Sequence, residues 1–133
     1  MKWTLKKISI IVYLISFVLP VLYIIIIDEP KIMFGFHAFI MGATYIENMH
    51  IFFFCWLANI IYWLSLVTKG SFAYQLIITT ISVLLSLLLP VGFILEGGTG
   101  YSFYPGYFLW VGAFIINLIH IMKSKNQKPK LVL

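Results

Sequence analysis

Twenty consecutive residues, Ile8 to Ile27, carry no charged side chain, and further charge-free apolar runs follow at 49–67, 72–95 and 105–122. A hydrocarbon core about 30 Å thick is crossed by roughly 20 helical residues rising 1.5 Å each. The four runs therefore predict an all-α membrane protein with four antiparallel transmembrane helices. Composition points the same way, because 62% of the 133 residues are hydrophobic and only 10% are charged. A soluble domain of this size cannot bury that much apolar surface, so lipid has to cover the remainder.

The connections complete a single domain, 1–133. Thr68-Lys69-Gly70 reads as a tight turn, 28–48 and 96–104 as outer loops, and 123–133 as a basic tail. Within the longer loop, Ile32 to Met41 is apolar, too short to span and broken at Gly35, so it is expected to lie at the interface or to re-enter. The first run ends in Ile24-Ile25-Ile26-Ile27 followed by Asp28-Glu29-Pro30, without the small residues of a cleavage site, so it is expected to stay as an anchor.

All nine basic residues are Lys, giving a net charge of +5. Lys2, Lys6, Lys7, Lys69 and the tail are basic, whereas Asp28, Glu29, Glu47 and Glu96 fall in the other two connections. That asymmetry orients both termini to the cytoplasm in an inner-membrane setting. Placed beside apolar helices, it is an orientation signal and not a nucleic-acid footprint. Without Arg, no planar bidentate clamp is available for carboxylate or phosphate.

Ser16-Phe17-Val18-Leu19-Pro20-Val21-Leu22-Tyr23-Ile24 resembles Ser86-Leu87-Leu88-Leu89-Pro90-Val91-Gly92-Phe93-Ile94, and Phe53 to Ala58 echoes Tyr107 to Gly112. The chain thus reads as a tandem repeat of a two-helix hairpin, with matching kinks at Pro20 and Pro90. Small and polar residues recur in steps of about 3.5, which marks helix seams in a left-handed bundle. The seam residues include Ser16, Asn59, Ser82 and Asn117. No ionisable group falls at the expected midplane, so packing explains these residues without an ion path.

Glu47 and His50 are three apart and so share a helix face. With His37 they are the residues whose chemistry could suit a metal, and Asp28, Glu29 and Glu96 belong to the same outer end. No second Glu-x-x-His completes a carboxylate di-metal pair, so no metal, cofactor or catalytic residue is expected. Cys55 is the single cysteine, which rules out an intramolecular disulfide. His120 belongs to the opposite end and is expected to meet helix-terminal carbonyls or headgroups.

The expected role is a non-enzymatic accessory or immunity-type protein that binds another membrane component. Its partners are the bilayer and another membrane protein or a second copy of itself. One alternative is an oligomeric transporter with Asn59, Ser82, Tyr62 and Asn117 along its path. The other is a membrane enzyme using a metal at Glu47, His50 and His37.

Overall fold

The computed structural model describes residues 4–26, 29–44, 51–95 and 101–125. Helix α1, Leu5–Val18, is capped by Thr4, whose side chain accepts from Lys7 N. Strands β1, Pro20–Ile26, and β2, Glu29–Phe34, come next, followed by α2, Gly35–Thr44. Helix α3 is Ile51–Val67, α4 is Phe72–Ser86 and α5 is Leu88–Leu95. A two-residue strand β3, Ser102–Phe103, precedes α6, Pro105–Lys125.

The expected span 8–27 is corrected: its helix stops at Val18. Leu19 is extended, with φ −93° and ψ 153°, as the residue before a proline prefers. The Val- and Ile-rich stretch that follows suits a strand, and β1 finds partners on both sides in the order β2-β1-β3. It pairs antiparallel with β2 from Pro20↔Phe34 to Ile26↔Glu29, with a register shift between Pro20 and Leu22. On its other edge it meets β3 through Leu22↔Phe103 and Tyr23↔Ser102. Pro30 falls on β2, an edge strand where a missing N–H is tolerated.

The expected outer loops are corrected with it. The 28–48 segment supplies β2 and α2, and 96–104 supplies β3. Gly35 opens α2 directly beneath α1, where an added Cβ would collide with the Ser16 carbonyl oxygen and Phe17 Cα.

Four transmembrane helices are also corrected. Two segments, Phe72–Leu95 and Pro105–Ser124, are long and apolar enough to cross a membrane. Helix α3 has 17 residues and α1 has 14, and the latter reaches only about 21 Å at 1.5 Å per residue. In the two long segments, 22% and 39% of the most apolar window is buried, so most of their side chains are at least partly accessible.

The paired kinks at Pro20 and Pro90 do not form a pair. Pro20 starts a strand, and the break in the second segment falls at Leu87, whose N–H reaches Val83 and Leu84 carbonyls. Pro90 cannot donate to the Ser86 carbonyl, and Tyr107 Oη donates to that oxygen at a long 3.5 Å. Matching words, Ser-x-x-Leu-Pro-Val, thus end a helix in one place and continue it in the other. The expected tandem repeat of a two-helix hairpin is not what these segments form. The difference lies in the neighbours: β1 is paired on both edges, whereas Gly92 is buried under Ile51 and Phe52 side chains.

The helices pack α1 on α6, α6 on α4 and α4 on α3. Tyr13, Ala58, Tyr62, Leu66, Ala113 and Phe114 form the central core. Tyr13 stacks on Tyr62 with centroids 4.8 Å apart, and Tyr62 stacks on Phe114 at 4.6 Å. Val21, Leu22, Tyr107 and Val111 join β1 to α6 in a second core. The bundle thus has a sheet end, where β1–β3 and α2 sit, and a tail end, where Lys6 Nζ donates to the Leu66 carbonyl at 2.6 Å.

Candidate binding cavity

Ser16, Asn59, Ser82 and Asn117 are all buried. They divide into two kinds. On α4, Thr79, Ser82 and Ser86 each donate to a carbonyl of their own helix, so these hydroxyls need no partner from outside and leave a narrow face for close packing. Ser16 does the same toward the Tyr13 carbonyl. Asn59 and Asn117 instead tie helices together.

Asn59 Oδ1 accepts from Tyr13 Oη at 2.9 Å and from Trp110 Nε1 at 2.7 Å. Its Nδ2 donates to the Trp56 carbonyl at 3.0 Å. One side chain on α3 therefore holds α1 and α6 together. Nearer the tail end, Ser9 Oγ and Tyr62 Oη lie 2.6 Å apart, and Ser9 Oγ donates to the Ala113 carbonyl. Asn117 Nδ2 donates to Ser65 Oγ at 2.8 Å.

Asn59 and Trp110 form the floor of a cavity of about 250 Å³ whose remaining lining includes β1, β2 and α2 of the sheet end. Its walls come from Ser16 and Phe17 on α1, Val21 and Leu22 on β1, Met33 on β2, Ala38 and Phe39 on α2, Cys55 and Trp56 on α3, Leu89 and Phe93 on α5, and Tyr107 on α6. The hairpin that begins at Pro20, with the helix after it, supplies part of these walls.

Gly42 of α2 is buried against Trp56, and a Cβ there would come within 2.7 Å of the Trp56 Cβ. Trp56 Nε1 is a buried side-chain polar atom without a hydrogen-bond partner among the described residues. Cys55 is a free, buried thiol beside it. The polar atoms of Asn59 already have partners, so the cavity offers an apolar surface with a few fixed polar atoms at its floor. Such a lining has the character of a pocket for an apolar group.

Glu47 and His50 lie outside the described residues, as do Asp28 and Glu96. His37 is exposed on α2, with its ring 3.9 Å from that of Phe36. Among the described residues no three His, Cys, Asp or Glu side chains gather as metal ligands. The tryptophans at 56 and 110 and the small Ala38 were not singled out as cavity residues from sequence. The available signal was Pro20 followed by a β-branched run and a Gly-opened helix, which together announce a chain reversal.

The fold and cavity define a helical protein with two segments able to cross a membrane and an apolar chamber beside them. No family model, curated protein or solved structure matches this chain.

Proposed function

We propose that this chain is a non-enzymatic integral membrane protein that holds one apolar chain of another membrane component in the sheet-end cavity. The observation that carries the reading is the cavity: about 250 Å³, apolar walls, and Asn59 and Trp110 at its floor. That volume lies just under the roughly 300–1,000 Å³ of pockets that enclose a whole drug-sized ligand. It suits a segment of a hydrocarbon chain whose remainder stays in lipid.

Embedding in the bilayer is supported by the outward apolar faces of all the longer helices, such as Leu14 and Val18 on α1, Leu64 and Val67 on α3, Leu84 on α4 and Phe108 on α6. In this reading α1 and α3 lie in the same apolar layer as the two long segments. The tail end faces the cytoplasm of an inner membrane, because Lys6, Lys7, Lys69 and Lys123 belong to it and lysine favours that side.

The test is native mass spectrometry of protein released gently from detergent, wild type against Ala38→Phe, which fills the chamber from α2. The expected result is one retained apolar-chain molecule per wild-type protein, absent from Ala38→Phe at an unchanged melting temperature. A wild type that carries nothing, or a variant that carries the same molecule, overturns the assignment.

A further inference from the structure

A second cavity, of about 160 Å³, lies at the tail end, where the first turns of α1 and α4 meet the last turns of α3 and α6. Its lining is chemically opposite to that of the first. Lys6, Gln75, Asn117, His120, Ser65 and Ser124 bring ammonium, amide, imidazole and hydroxyl groups to one space, and none of the described residues that line it is a carboxylate. The volume is well above the ~10–15 Å³ that admits a single water.

The hydrogen bonds already made there leave donors to spare. Lys6 Nζ gives one of its three N–H groups to the Leu66 carbonyl. Gln75 Nε2 donates to the Thr68 carbonyl at 3.2 Å, which leaves its second N–H. Asn117 is buried and held by Ser65, which in turn donates to the Tyr62 carbonyl at 2.6 Å. His120 makes no hydrogen bond with the described residues, yet it lies within electrostatic reach of Lys6. The Lys6 ammonium and the His120 imidazole therefore share one polar space, and no described residue in its walls is an acid. An anion is the species that pairs with the Lys6 charge and accepts the unused N–H groups.

We propose that the tail-end cavity is a binding site for a single phosphate group, held by Lys6 and His120 with Gln75 as a neutral donor. Lysine acts here as a point charge, the mode of phosphate binding that remains open to a chain without arginine. The phosphate comes either from a lipid headgroup beside α1 and α6 or from free phosphate in the cytoplasm. The site is separate from the sheet-end cavity and stands or falls without it.

The test is thermal unfolding of the full chain in a phosphorus-free maltoside detergent. Inorganic phosphate is titrated against chloride at equal ionic strength, and phosphatidylglycerol is titrated in mixed micelles. Saturable stabilisation is expected from at least one of them. Stabilisation by the lipid alone assigns the headgroup, and stabilisation by both assigns the anion itself. His120→Gln is expected to weaken binding about tenfold or more, the loss of a charge-assisted hydrogen bond, and Lys6→Gln likewise. His120 makes no hydrogen bond that folding needs, so its variant remains informative if Lys6→Gln unfolds. No stabilisation by either probe, or an equal loss in the exposed Lys7→Gln control, overturns the proposal.

Discussion

Tyr13 Oη donates to Asn59 Oδ1 at 2.9 Å, and this hydrogen bond joins the first long helix to the third at the floor of the apolar cavity. The same oxygen accepts from Trp110, so the two ends of the pair are unequal. Tyr13→Phe leaves Asn59 with Trp110 and is expected to cost about 0.6 kcal/mol, with a ceiling near 1.7. Asn59→Leu strands a buried phenol and an indole N–H together, each worth about 1–3 kcal/mol when unsatisfied. Equilibrium unfolding in detergent should therefore rank Asn59→Leu as at least twice as destabilising as Tyr13→Phe. Equal losses would remove Asn59 from its bridging role.

Two glycines make opposite predictions. A Cβ at Gly106 would sit 2.5 Å from the Pro20 carbonyl oxygen, which is backbone and cannot swing aside, whereas a Cβ at Gly112 meets nothing within 4 Å. Gly106→Ala is expected to lose about 1–3 kcal/mol by overpacking. Gly112→Ala is expected to be neutral or stabilising by up to about 1 kcal/mol, since alanine favours helix. Melting temperatures of the two variants, measured in one detergent, check the contrast.

Cys55 gives the cavity a chemical reporter. Its side chain is 3% exposed and lines the chamber, so a bulky maleimide should label it only after unfolding. A small membrane-permeant maleimide should react slowly in the folded protein, and more slowly still in Ala38→Phe. Equal labelling of Ala38→Phe and wild type would mean that Cys55 is not reached through the cavity.

Orientation is tested by placing single cysteines in a Cys55→Ala background. The Lys6 to Leu66 hydrogen bond sets the start of α1 beside the end of α3, and the tail-end cavity adds the end of α6. Lys7→Cys, Lys69→Cys and Lys123→Cys should all be labelled from one side of a sealed vesicle by an impermeant reagent. Labelling of Lys69→Cys from the opposite side would break the shared-end arrangement.

Two residues that line the candidate cavity, Ser16 and Asn59, were legible one at a time as seam residues. The 3.5-residue stripes marked Ser16, Asn59, Ser82 and Asn117, and all four are buried. What the stripes could not distinguish was a hydroxyl satisfied within its own helix, as at Ser82, from an amide that bridges helices, as at Asn59. Both read as small or polar at a seam. The difference depends on which groups another helix brings within 3 Å.

From its residues alone, this protein was determined to be predominantly helical, apolar on its outside, rich in lysine at one end and without a cysteine pair. Those properties follow from composition and period, which act locally. Whether 8–27 became one long helix was decided by tertiary structure, because a β-branched run after Pro20 is acceptable to either state until strands pair with it. Pairing of β1 with β2 and β3 supplied hydrogen bonds that an isolated segment lacks. It turned an expected span into the hairpin that walls the cavity.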